Sequence, residues 1–139
     1  MLVLDTNHLV ELGYRSAASQ RLSERLEASG EPAFATIISA EEQLRGWMAE
    51  LHRAGDPAVQ IPLYGKLRER IEFYAAWSVL DWDAEALAQF ARLRRERIRI
   101  GTQDLKIASI VLSHDAILLT RNVVDFQKVP GLRIENWLD

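Results

Sequence analysis

The sequence predicts an α/β protein of three layers, α/β/α, around a central parallel sheet of about five strands. Three observations predict it. Short apolar runs alternate with longer helical segments along the whole chain. The runs are apolar at consecutive positions, as a strand covered on both faces requires. The segments between them are long enough to be crossover helices, which parallel neighbours need and hairpins do not.

The elements follow in order. Leu2-Val3-Leu4 reads as a buried strand, and Asp5 suits the N-cap of a short helix over 6–13. Leu22 and Leu26 lie four apart in a helix over 17–29 that Gly30 stops. Ala33–Thr36 is a second strand, and a helix is expected from about Ser39 to His52. Gly55-Asp56-Pro57 breaks the chain, Ile61-Pro62 begins the next element, and 63–75 is helical. Trp77–Asp81 forms a third strand, with Asp83 capping a long helix over 84–98. Gly101-Thr102 separates that helix from another over 103–113. Ala116–Thr120 is the fourth strand, and Leu132–Ile134 the fifth after Pro130-Gly131.

A length of 139 residues fits one domain over 1–139, with a full hydrophobic core. The chain is 48% hydrophobic, which excludes a disordered class, and its net charge of −3 excludes a protein that coats nucleic acid through bulk basicity. There is no cysteine, so disulfides, thiolate zinc sites and cysteine nucleophiles are excluded together. The three histidines, His8, His52 and His114, include no His-x-x-x-His pair. Any metal would therefore be held by oxygen, which points to Mg²⁺ or Mn²⁺. No apolar stretch is long enough to span a bilayer, and an acid follows the first apolar run at once, unlike a signal peptide. The expected address is the cytoplasm.

In a sheet built from crossovers, every helix that follows or leads into a strand starts at the carboxyl edge, where ligands of such sheets bind. Asp5 ends the first strand. Glu42 lies one turn into the helix after the second. Asp104 lies in the first turn of the helix before the fourth, and Asp125 follows the fourth by a few residues. The topology brings all four to one edge. Clustered carboxylates repel, and a divalent cation relieves that repulsion. Each acid also has a simpler reading as a helix cap. Asp5 is a natural N-cap, Ser39-Ala40-Glu41-Glu42 fits a capping box, Asp104 sits at a favourable dipole end, and Asn122-Val123-Val124-Asp125 is box-like.

The motifs resemble a known family. Leu4-Asp5-Thr6-Asn7, Ser39-x-x-Glu42-x-Leu44-x-Gly46 and Asp104-Leu105-x-Ile107-Ala108 are similar to three acidic motifs of the PIN-domain ribonucleases. Leu119-Thr120-Arg121-Asn122-x-x-Asp125-Phe126 and Val129–Trp137 resemble that family's C-terminal signature, in particular as found in VapC-type toxins of toxin–antitoxin pairs. The four motifs occur in order and cover most of the chain. The sequence departs from the pattern at Glu41-Glu42, where the spacing from Ser39 and to Gly46 favours Glu42 with Glu41 as the alternative, and at His8, where the family has an aliphatic residue and a partly exposed helix position is expected.

The resemblance implies a PIN-like fold and Mg²⁺- or Mn²⁺-dependent cleavage of RNA. It implies a homodimeric toxin that inhibits translation and growth, held inactive by a cognate VapB-type antitoxin. The metal is then expected on Asp5, Glu42, Asp104 and Asp125, with Thr6, Ser39, Thr120 and Asn122 orienting carboxylates or waters. Arg95 and Arg99, from a run of five arginines against Glu96 alone, and Arg121 are expected to contact RNA phosphate; the run also reads as a solvated helix face. Trp47, Trp77, Trp82 and Trp137 are expected as core or interface anchors rather than base-stacking platforms. The competing readings are a PIN nuclease acting in RNA processing or on DNA, and a silent binding module whose acids are caps.

Overall fold

The computed structural model describes all 139 residues. Strands β1 (Leu2–Leu4), β2 (Ala33–Thr36), β3 (Val79–Leu80), β4 (Ile117–Leu119) and β5 (Arg133–Glu135) form one sheet, in the order β3-β2-β1-β4-β5. Every pairing is parallel. The helices are α1 (Thr6–Leu12), α2 (Ala17–Ser29), α3 (Ile37–Ala54), α4 (Pro57–Ala76), α5 (Ala84–Arg95), α6 (Thr102–Ser113) and α7 (Val123–Phe126).

Alternation along the strands divides the interior into two cores. Val3 and Leu118 point to one face, against Leu93 of α5, Ile107 and Ile110 of α6 and the fully buried Phe126. Leu2, Leu4 and Leu119 point to the other, against Leu9 of α1, Ala40 of α3 and Tyr74 of α4. Burial of one such large side chain stabilises the fold by about 1.5–3 kcal/mol. The sheet is thus covered on both faces, as the apolar strands require.

The strand order reverses at β1. Successive strands move outward through β2 and β3, then cross to β4 on the other side of β1. The carboxyl ends of β1 and β4 therefore flank the crevice where such sheets bind ligands. Asp5 leaves β1 and Thr120 leaves β4 at that point.

Several boundaries differ from expectation. α3 starts at Ile37, not Ser39, because Thr36 ends β2 and caps the helix at once, its hydroxyl accepting from the Ser39 amide. α4 starts at Pro57 with Asp56 as its cap and runs through Pro62. Pro57 suits the first helical turn, whose amide needs no partner. Pro62 removes one bond, to the carbonyl of Ala58 on an exposed turn where water can replace it. α5 stops at Arg95 rather than 98. Arg97 takes the left-handed conformation at φ 57, and its amide and that of Ile98 bond back to Arg94 and Leu93. This is a Schellman ending without its usual glycine, sealed by Ile98 against the core that holds Leu93.

Candidate metal centre

The cleft at the β1/β4 crevice has a volume of about 460 Å³, and Asp5, Thr6, Asn7, Glu42, Asp104, Arg121 and Asn122 line it. No lining residue is hydrophobic.

Asp5 is buried, and both its oxygens are engaged. Oδ1 accepts the amide of Thr6 at 2.8 Å, the N-cap bond expected of it. Oδ2 accepts the Thr120 hydroxyl at 2.7 Å. Capping and site membership are therefore compatible. Burial pushes the Asp5 carboxyl up, against the opposing pull of Thr120 and Thr6.

Glu42 is not a capping residue. Because Thr36 is the cap, Ser39 lies inside the helix and the expected capping box does not form. Ser39 instead accepts the Thr6 hydroxyl at 2.9 Å, tying α3 to α1. Oε1 of Glu42 is buried with no hydrogen-bond partner. Burial pushes its carboxyl up, and the charges of Asp5 and Asp104 push it further, with the Thr6 hydroxyl opposing. Glu41 points elsewhere: it accepts from Gln103 at 2.8 Å and pairs with Arg45 at 2.6 Å.

Asp104 stands in the first turn of α6 but makes no capping bond. Burial raises its pKa, followed by the charges of Asp5 and Asp125, with Asn122 opposing. Asn122 is the link to the fourth acid. Its Nδ2 donates to Asp104 at 3.3 Å and to Asp125 at 3.1 Å. It stands at the N-cap of α7 without a side-chain capping bond, and Asp125 lies within that helix. Asp125 does not line the cleft, and it pairs with Lys128 at 3.5 Å.

The donor set is all oxygen. Three carboxylates raised by burial, two of them also by their acidic neighbours, with one orphaned buried oxygen, fit a divalent cation. No three acids or histidines close around a common point, so the cluster is an open cradle. Such an arrangement leaves room for a hard ion to keep several of its own waters.

Of the expected phosphate contacts, Arg121 lines the cleft and pairs with Asp139 at 3.7 Å. Arg95 and Arg99 are exposed and do not line it. Arg95 ends α5 and Arg99 lies beyond it, and neither reaches the cleft. Asn7 lines the cleft and was not singled out from the sequence, although it stands in the first motif. His8 is fully buried rather than partly exposed. Its Nε2 accepts the Trp137 amide at 3.3 Å, a contact across the whole chain. Burial pushes its pKa down to about 4, helped by Arg121 and opposed by Asp139.

Residues 2–132 match the sequence profile of the PIN domain. The chain belongs to the PIN domain family. Part of this PIN domain is 33% identical over 69 residues to Ribonuclease VapC2 of Rickettsia felis, covering 47% of this chain and 52% of that protein. It is 35% identical over 69 residues to the tRNA(fMet)-specific endonuclease VapC of Salmonella typhimurium, with the same coverage of 47% and 52%. The matched stretch thus spans about half the length of these curated relatives. The PIN fold aligns over 98% of this chain and 98% of the neighbour with VapBC2 from Rickettsia felis bound to a promoter DNA fragment, at TM-score 0.75 and 23% identity. DNA-bound VapBC from Salmonella typhimurium aligns over 98% of this chain and 97% of that one, at TM-score 0.74 and 24% identity. No helix of this PIN domain is long and apolar enough to cross a membrane.

Proposed function

We propose that this PIN domain, one unit over residues 1–139, is a divalent-metal-dependent endoribonuclease and the toxin of a VapBC-type pair. The observation that carries the reading is the cluster of Asp5, Glu42 and Asp104 around an orphaned carboxylate oxygen at the strand-order switch. The names of the curated relatives supply the substrate class, and the VapBC complexes among the structural neighbours suggest the toxin role. In this reading a cognate VapB-type antitoxin silences the chain, which acts as a homodimer in the cytoplasm.

Asp5, Glu42 and Asp104 would hold Mg²⁺ or Mn²⁺, with Asp125 acting through water. When bound, such an ion lowers the pKa of a water to make the nucleophile and offsets charge developing on phosphate. The chain's own residues supply the rest. Thr120 and the Thr6 amide fix both oxygens of Asp5 and so set its orientation. Thr6 and Ser39 hold α1 to α3 beside Glu42. Asn122 keeps Asp104 and Asp125 together against their repulsion. Arg121 is the cation of the cleft, placed to receive a substrate phosphate.

The test is cleavage of single-stranded RNA by wild type and Asp5→Asn, with Mn²⁺ and with chelator. Cleavage by wild type alone, abolished by chelator, is the expected outcome. Equal cleavage by both proteins would sink the metal-centre reading. Unimpaired bacterial growth on expression of soluble, RNA-cleaving chain would sink the toxin role.

A further inference from the structure

Gly13 closes α1 in an ordinary right-handed conformation at φ −76, which any residue adopts. Its missing side chain serves space instead. A Cβ there would lie 2.8 Å from the guanidinium of Arg70. Arg70 reaches from α4 across to the C-terminal end of α1, where the helix dipole favours a cation. On the way it lies over the Phe73 ring, 4.8 Å from the centroid. Its neighbours Lys66 and Arg68 pair with Glu69 and Glu72, whereas Arg70 pairs with no carboxylate.

Arg70 opens into a second recess, of about 210 Å³, walled also by Tyr14, Gln43, Trp47 and Lys66. Tyr14 is 61% exposed. Trp77, Trp82 and Trp137 pack against the two cores, but Trp47 belongs to neither. The recess adjoins the carboxylate cleft: Gln43 follows Glu42 on α3 and accepts the Tyr74 hydroxyl, which lies within electrostatic reach of both Glu42 and Arg70.

We propose that this recess is a nucleotide subsite, in which an unpaired base stacks on Trp47 and Tyr14 and the adjoining phosphate pairs with Arg70. It rests on the ribonuclease reading of the cleft, and it extends the path of single-stranded RNA from Arg121 across α3. An exposed Tyr14 and a half-buried Trp47 beside an arginine without a carboxylate partner are the kind of groups single-strand recognition uses, where bases of any kind stack and the backbone meets cations. Of the expected roles for Trp47, a core anchor is the one that gives way, because neither core holds it.

The experiment measures binding of a labelled RNA hexanucleotide and a dinucleotide by anisotropy, in Mg²⁺, on the full chain. Asp5→Asn is the background, so that nothing is cut. Arg70→Gln, Trp47→Ala and Tyr14→Ala each weaken hexanucleotide binding by about 5-fold or more and leave dinucleotide binding unchanged. Arg70→Lys restores part of the loss. Gly13→Ala, which displaces the guanidinium without removing it, reproduces the Arg70→Gln defect. With Asp5 restored, Arg70→Gln raises KM for the hexanucleotide and leaves kcat unchanged. Hexanucleotide binding within 2-fold of the parent in properly folded Arg70→Gln and Trp47→Ala proteins overturns the subsite. So does a loss confined to retention of the antitoxin, which would assign the recess to a protein partner. Arg70-dependent RNA binding by a chain that cuts no RNA supports the subsite and refutes the ribonuclease reading alone.

Discussion

The Thr120 hydroxyl donates to Oδ2 of Asp5 at 2.7 Å, bridging the ends of the two central strands β4 and β1. The Thr120 hydroxyl oxygen in turn accepts the amide of Asn122 at 2.9 Å, so one side chain fixes the first acid and the residue that gathers two others.

Thr120→Val keeps the shape and removes that donor. Asp5 then loses the hydrogen bond that holds its pKa down. The acid limb of the pH–rate profile for RNA cleavage moves to higher pH. Stability at neutral pH falls by about 1.5–3 kcal/mol, the worth of a hydrogen bond to a charged group, read from urea unfolding.

Asp104→Asn removes one of the mutually repelling acids. Metal-free Asp104→Asn protein melts higher than wild type at neutral pH, by about 2–4 °C, the shift that ~1 kcal/mol produces at this size. The rise in melting temperature caused by Mg²⁺ shrinks in the same variant. Because the folded pKa values of Asp5, Glu42 and Asp104 are raised, the folded metal-free chain binds more protons than the unfolded one. Its stability therefore falls as pH rises from the ordinary carboxylate range through the raised values, then levels. Saturating Mg²⁺ flattens that slope; an unchanged slope counts against a shared site.

His8 has the opposite sign. Its folded pKa of about 4 lies below the ordinary histidine value of 6.5. The stability due to neutral His8 is present above about 6.5 and is lost as pH falls towards about 4. On protonation Nε2 can no longer accept the Trp137 amide. His8→Gln removes this contribution, so the difference between the two stability–pH curves isolates it, and parallel curves refute it.

Arg97→Gly relieves the left-handed conformation that ends α5. The strain removed exceeds the extra flexibility of a glycine in the unfolded chain. The expected gain is about 0.5–1 kcal/mol, seen as a higher midpoint in thermal unfolding with the α5 ending intact.

The sheet was legible because its strands are short runs of apolar residues separated by crossover-length segments. The edge that carries Asp5, Glu42 and Asp104 followed from topology alone. What was not legible depends on contacts distant in sequence or on fine backbone geometry. Ser39-x-x-Glu42 has the spacing of a capping box, but Thr36 takes the cap because strand passes into helix without a loop. His8 reads as a helix-surface residue until the C-terminal segment folds over it. The end of α5 was hidden because an arginine holds the place a glycine usually marks. The recess at Arg70 needs α1, α3 and α4 assembled, and no local motif spells it.

The central position of β1 sets an order of events during synthesis. Asp5 is made before its other wall, Thr120 and Asn122, which follows more than a hundred residues later. Until β4 slots in beside β1, Asp104 and Asp125 have no Asn122 to gather them, and Asp5 has no Thr120. A growing polypeptide therefore carries its acids scattered and harmless. The carboxylate cleft is thus complete only after β4 has joined the sheet.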